Sequence, residues 1–261
     1  MEKDKMIDTD KMIDLDEVDY RESDFLKIGT FPTGIPSLDR MLGGGLRRGS
    51  LTLIASRPAL GKTSLALQIA GNIAAAGKRV YFCSLEISKD GLNRILGKQS
   101  GSRQKSETLY FDDPTNADVP YITGMIHSLA KCDAVFIDYL QLFARRSTPK
   151  TSTETLSALK ELALSENIPV VLTSQISRRA PLPDTYGNEV FRPELSDLLR
   201  SGVLTQDPDV IIFPFRETYD LEDTETTGKA ELNIAKNRYG ATGTIPVHWD
   251  PEKLIFEEQD E

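Results

Sequence analysis

The chain has 261 residues and a formal net charge of −9, from 40 acidic against 31 basic side chains. This length suits one well-buried α/β domain with short extras at its ends, and the negative charge excludes a surface that coats nucleic acid through general electrostatics, leaving room only for a narrow contact built from a few basic side chains. No apolar run approaches membrane-spanning length, the start has no apolar signal core, and Cys83 and Cys132 lack paired metal-ligand spacing, so the expectation is a cytoplasmic protein with reduced thiols and no membrane contact.

Residues 1–28 stand apart in composition. Acidic side chains are dense, and an imperfect duplication runs Asp4-Lys5-Met6-Ile7-Asp8 and then Asp10-Lys11-Met12-Ile13-Asp14. Such a stretch reads as a solvated tail or, through its embedded Met, Ile, Leu and Val residues, as a short docking segment. Residues 29–261 form the second unit. Within it, apolar strand candidates at Leu51–Ala55, Val80–Ser84, Ala134–Ile137, Pro169–Thr173 and Val210–Phe213 alternate with helix candidates at Lys62–Ala76, Ser88–Lys98, Pro120–Ala130 and Ser152–Glu166. That alternation predicts a mostly parallel twisted sheet with helices on both faces. Two further runs, Ala230–Ala235 and Thr244–His248, flank a turn-rich stretch and predict an antiparallel extension at the C-terminal side.

Chemistry concentrates at the strand ends, where ligands bind in open α/β sheets. Ser56-Arg57-Pro58-Ala59-Leu60-Gly61-Lys62-Thr63 follows the first strand and opens a helix, with Ser64 in its first turn. A loop in that context wraps phosphates with backbone N–H groups and directs a helix N-terminus at them. Gly61 allows close backbone approach, Lys62 reaches the β- and γ-phosphates, and the Thr63 hydroxyl serves Mg²⁺. Ser56 stands where the general pattern has Gly, and Pro58 removes one donor from the cradle. Asp138, closing Val135-Phe136-Ile137, is a carboxylate able to complete the metal shell opposite Thr63. Glu86 follows Tyr81–Leu85 as a candidate to orient or deprotonate water, and the Gln175 amide follows Val170–Ser174 as a candidate to sense the γ-phosphate. Any one of these fits a plain loop residue or helix cap; the four strand ends together point to a hydrolytic site with ATP and Mg²⁺ as its ligands.

Those residues, with Ser84-Leu85-Glu86-Ile87-Ser88, Ile137-Asp138-Tyr139-Leu140-Gln141-Leu142, Thr173-Ser174-Gln175 and Lys236-Asn237-Arg238, resemble the C-terminal motor domain of DnaB-type replicative helicases, a RecA-like P-loop NTPase fold. The similarity runs from about Thr33 to Glu257. The entry Thr33–Asp39 with Gly43-Gly44-Gly45-Leu46 is shared more widely with RadA-like and KaiC-like ATPases. The resemblance implies that Lys62 and Thr63 bind phosphate and Mg²⁺, Glu86 activates water, Asp138 completes the metal shell, Gln175 couples the nucleotide to DNA loops, and Lys236 and Arg238 reach the ATP of a neighbouring subunit. Two residues apart on an extended strand, Lys236 and Arg238 share one face, and an arginine supplied in trans suits phosphoryl transfer. The resemblance also implies a homo-oligomer, a hexameric ring around single-stranded DNA, with a helicase loader or other replication proteins as partners. The pore segments would be Arg145-Arg146-Ser147-Thr148-Pro149-Lys150 and Ser196–Gly202, where Arg145, Arg146, Lys150 and Arg200 meet phosphate and Gly202 lets backbone approach.

The sequence departs from that family in three respects. It has no counterpart to the helical collar through which primase is engaged, the stretch from Glu86 to Asp138 is short, and Arg200 stands where the family typically carries an acid. The leading expectation is a ring-forming, ATP-driven helicase motor. Alternatives are a RecA-family ATPase without unwinding activity, which the glycine-rich entry suits, and a helicase-domain paralogue that regulates another ring, which has no need of Lys62, Glu86 and Arg238.

Overall fold

The computed structural model describes residues 29–100, 107–146, 151–176, 192–203, 205–216 and 228–259. The acidic segment 1–28 and Lys150 lie outside them. A two-stranded ribbon, β1 (Thr30–Phe31) with β2 (Leu46–Arg47), closes the entry segment. One nine-stranded sheet then organises the chain: β3 (Leu51–Ser56), β4 (Val80–Ser84), β5 (Leu109–Asp112), β6 (Ala134–Asp138), β7 (Val170–Gln175), β8 (Val210–Arg216), β9 (Lys229–Asn237), β10 (Gly243–Asp250) and β11 (Ile255–Glu258). Their order across the sheet is β11-β10-β9-β8-β3-β7-β6-β4-β5. The six strands from β8 to β5 are parallel, and β9, β10 and β11 add antiparallel hairpins beyond β8.

The strand sequences explain the layering. The central parallel strands are apolar on both faces, with polar residues gathered mainly at their ends, because helices cover the sheet on either side. Ile54, Phe82, Phe136 and Val171 point into one core, with α1 (Pro36–Met41), α2 (Lys62–Ala75) and α3 (Lys89–Ser100). Their neighbours Leu53, Tyr81, Val135 and Leu172 point into the other, with α4 (Val119–Ser128), α5 (Leu140–Arg146), α6 (Ser152–Glu166) and α7 (Leu195–Arg200). Phe82 stacks on Phe136 across β4 and β6 at a centroid distance of 5.8 Å. Burying an aromatic or aliphatic side chain of this kind stabilises by about 1.5–3 kcal/mol.

Local signals set the helices. Thr151 and Glu154 form a reciprocal capping box, with Thr151 N–H donating to Glu154 Oε2 at 2.7 Å and Glu154 N–H to Thr151 Oγ1 at 3.2 Å, and α6 starts there. Asp118 caps α4 by accepting from Tyr121 N–H at 2.9 Å. Gly77, at φ 76°, ends α2 in the left-handed conformation, as its sequence position predicts. Cys83 is buried and Cys132 half-buried, both unbridged.

Two expectations need correction. The presumed pore loop at 145–150 begins as a helix, since Arg145 and Arg146 are the last residues of α5. The second, at 196–202, is also helical through Arg200, and only Gly202, at φ 75°, takes the turn conformation. α5 starts after a single residue beyond β6, and in both helices the basic residues at the end read in sequence as loop.

Candidate active site

The parallel order brings four chemically equipped strand ends side by side. Across β3, β7, β6 and β4, the sheet carries in turn the phosphate-loop candidate, Gln175, Asp138 and the turn to Glu86. Ser56, Asp138 and Gln175 are the last residues of their strands, so each side chain leaves a rigid ladder.

The loop after β3 folds back on itself. Ala59 (φ 63°) and Gly61 (φ 97°) are both left-handed, a backbone that turns successive amides toward one centre. Gly61 is required on two counts. Besides its φ, a Cβ there would lie 2.8 Å from Phe256 Cζ, because β10 and β11 pack over the loop. Leu60 is buried, and its N–H donates to the Arg57 carbonyl at 3.4 Å. Ser56, in place of the usual glycine, is buried and turns its hydroxyl to the carbonyl of Arg57 at 2.8 Å, so it fits the turn without crowding it. The exposed Ala59 carbonyl accepts from the Arg216 guanidinium, which stacks 4.4 Å over the Trp249 ring. Gly61, Lys62, Thr63, Ser64, Glu86, Ile87, Arg216, Trp249 and Leu254 line a cavity of about 280 Å³ beside Ala59. A larger groove of about 930 Å³ between α2, α3 and β11 contains none of the strand-end residues.

At the smaller cavity and in the core beneath it the charged groups converge. Lys62 Nζ stands 3.2 Å from Glu86 Oε2 and 3.8 Å from Asp138 Oδ1, with the Tyr139 ring 5.0 Å away. The Thr63 hydroxyl lies 3.0 Å from Asp138 Oδ2 and 3.2 Å from Oδ1, and the Thr173 hydroxyl donates to the same carboxylate. Asp138 is fully buried, and that burial pushes its carboxyl above the ordinary carboxylate range against the pull of Lys62 and the two hydroxyls. Glu86 is the exposed member, with 44% of its side chain in contact with solvent. A buried carboxylate beside a hydroxyl, a lysine within reach of both carboxylates, and a wetter glutamate can hold a polyphosphate, offer hard oxygen donors to Mg²⁺ and orient water. Among the described residues no cluster of three or more His, Cys, Asp or Glu that could hold a metal ion occurs.

Gln175 is fixed by a residue that sequence reading gave no role. Gln141, in the first turn of α5, donates from Nε2 to the Gln175 carbonyl at 2.8 Å and to Ser174 Oγ at 3.0 Å, and its Oε1 accepts from Gln175 N–H at 3.1 Å. Its place in the Asp-Tyr-Leu-Gln-Leu run was the available signal.

Lys236 and Arg238 sit at the other end of the sheet. Lys236 lies in β9 and Arg238 one residue past its end, beside the start of β8. Lys236 Nζ donates to the carbonyls of Thr205, Gln206 and Pro208 at 2.7, 2.9 and 2.6 Å, and burial lowers its pKa. The Arg238 guanidinium lies 3.1 Å from Asp209 Oδ1, and its backbone N–H donates to the Asp209 carbonyl at 2.9 Å. Asp209, fully buried, also accepts from Lys160 Nζ at 2.6 Å and from Leu51 N–H at 2.8 Å. Both cations therefore share one face, as their spacing predicts. They lie at the Leu51 end of β3, about 16 Å of strand from the Ser56 end. Neither can serve the phosphate loop of its own chain. Arg200 is exposed and stands 3.9 Å from Asp197.

Comparison with known proteins gives these residues a setting. Residues 30–106 and 94–258 match the DnaB-like helicase C-terminal domain family. A probable plasmid replicative DNA helicase of Chlamydia trachomatis is 32% identical over 87% of this chain and 54% of its own length. The replicative DNA helicase DnaB of Geobacillus stearothermophilus is 30% identical over 88% of this chain and 57% of its own. The chain thus spans just over half the length of these curated relatives. Among solved structures, a DnaB-like replicative helicase superposes with a TM-score of 0.76 at 29% identity, covering 89% of this chain and 62% of that one. A KaiC-like protein of Pyrococcus horikoshii, at 20% identity and a TM-score of 0.66 over 89% of this chain and 100% of its own, shares the fold.

Proposed function

The chain belongs to the DnaB-like helicase C-terminal domain family, and from that premise we propose that it is an ATP-driven motor that works as a ring on single-stranded DNA. The observation that carries the reading is the split site: Lys62, Thr63, Glu86 and Asp138 meet at one end of the parallel sheet, whereas Arg238 stands at the other. Arg238, the arginine assigned to charge neutralisation, can then reach only the γ-phosphate of a neighbour, and head-to-tail contacts of that kind form a ring where the rotation closes.

In this reading the loop from Ser56 to Ser64 cradles the triphosphate with its amides, and Lys62 leaves Glu86 and Asp138 to pair with the β- and γ-phosphates. Thr63 and Asp138 would hold Mg²⁺, which would supply charge neutralisation at the phosphates. Glu86, relieved of Lys62, orients the attacking water and takes its proton. Arg216, above Trp249, gives the base a cationic plane to lie against. The neighbour's Arg238 approaches the γ-phosphate and stabilises the charge that builds there in the transition state. Gln175 registers the γ-phosphate, and the basic ends of α5 and α7 meet the DNA backbone.

The test is ATP hydrolysis with and without single-stranded DNA, together with strand displacement on a forked duplex. The motor reading expects DNA to accelerate turnover and strands to separate. Turnover indifferent to DNA moves the protein to the RecA-like ATPases that hydrolyse without unwinding, and no turnover at all leaves a regulatory paralogue.

A further inference from the structure

β7 outlasts its partner β6. The two pair at Val135↔Val170, Phe136↔Val171 and Ile137↔Leu172, and β6 then ends at Asp138 while β7 runs on to Gln175. On its far side β7 stays paired with β3 as far as Ser56↔Gln175, and Ile176 N–H donates to the Ser56 carbonyl at 2.9 Å. On the near side the missing strand is replaced by one side chain. The Gln141 amide gives Gln175 a donor and an acceptor at 2.8 and 3.1 Å, the same pair that a neighbouring backbone would supply.

Gln141 belongs to α5, which begins two residues after Asp138, and the same helix ends four and five positions later at Arg145 and Arg146. The amide is therefore a short rigid bridge. One side is the residue assigned above to the γ-phosphate, and the other is a two-turn helix with a basic end. No strand ladder or loop intervenes. A shift of the Gln175 backbone by even part of an ångström must either move α5 or break two hydrogen bonds, and packed elements of this kind switch between discrete positions instead of bending.

We propose that Gln141 is a positioning residue that couples the nucleotide state read at Gln175 to DNA affinity at the end of α5. The inference rests on the motor reading above, because it needs Gln175 to sense nucleotide and α5 to meet DNA. It adds the physical link between them.

The experiment measures the affinity of a fluorescein-labelled oligo-dT strand by anisotropy, in the presence of Mg²⁺ with a non-hydrolysable ATP analogue and again with ADP. For the unaltered protein the two affinities should differ by about tenfold, within the usual range of allosteric coupling. Gln141→Ala, which removes the bridge, and Gln141→Glu, which keeps its size but loses the donor, should both bring the ratio close to one. A wild-type ratio in either folded variant overturns the inference and leaves the motor reading standing. No difference in the unaltered protein overturns both. If both variants unfold, hydrogen exchange in the wild type decides. Replacing ADP by the analogue should change protection at the Gln175 amide and along α5 together, and a change at Gln175 with none in α5 overturns the link.

Discussion

The two ends of β3 solve opposite problems with the same kinds of residue. At the Ser56 end, Lys62 is shared between an exposed glutamate and a buried aspartate at 3.2 and 3.8 Å, a loose arrangement beside an open cavity. At the Leu51 end, Lys160 sits 2.6 Å from Asp209, and Lys236 Nζ meets three carbonyls, its full donor capacity. The first end leaves its cation able to exchange partners, as the proposed binding of a polyphosphate requires. The second is a satisfied platform from which one half-exposed guanidinium, Arg238, projects. A strand-terminal charge is thus left mobile or locked according to whether its partners leave it capacity to spare, and in the proposed motor the arginine offered to a neighbour stands on a rigid base.

Breaking each end separately sharpens that contrast. The largest effect is expected from Arg238→Ala, a loss of about 10³–10⁵-fold in ATP turnover with nucleotide affinity retained, measured by steady-state hydrolysis and by titration with a fluorescent ATP analogue. An unchanged turnover would mean that Arg238 serves no phosphate site. Asp209→Ala strips a buried carboxylate from Lys160, Arg238 and the Leu51 amide, and should cost about 3–5 kcal/mol, read as a fall in melting temperature on the order of 10 °C. An unchanged melting temperature would mean that the platform is not built as described. Lys62→Ala should reduce turnover by about 10²–10³-fold and weaken nucleotide binding, with little change in melting temperature, because Glu86 faces solvent and the buried Asp138 keeps the hydroxyls of Thr63 and Thr173. The smallest effect is expected from Gly61→Ala. Strain at φ 97° and the approach to Phe256 should cost about 1–3 kcal/mol, seen in thermal melts along with a weaker grip on ATP.

Much of the Ser56 end was legible in the sequence, because every component there is local. An apolar run ending in one polar residue marks a parallel strand and its ligand-facing tip, and this located Asp138, Gln175 and the turn to Glu86. The alternation of strand and helix predicted a parallel sheet, but the strand order that makes these ends neighbours was not legible in it. The Leu51 end was legible only in part. Lys236 and Arg238 stood out through the family resemblance, but Asp209 reads as an ordinary residue before a strand, and its partner Lys160 lies 49 positions away. Edges were also hidden. β5 is four residues long and lacks both a fully buried run and an alternation of buried with exposed positions. α5 follows β6 with no capping residue or turn to announce it, so the Asp-Tyr-Leu-Gln-Leu run marked Gln141 without revealing the bridge that it makes.

The measurement that bears most directly on a site divided between neighbouring chains is subunit complementation. Arg238→Ala and Lys62→Ala proteins, each nearly inactive alone, are mixed, allowed to exchange subunits, and assayed for ATP hydrolysis with single-stranded DNA. A neighbour-completed site predicts recovered turnover, since each contact that joins an intact Lys62 to an intact Arg238 from the other chain is whole. Turnover no greater than the sum of the two separate proteins, in a mixture shown to have exchanged, would contradict it.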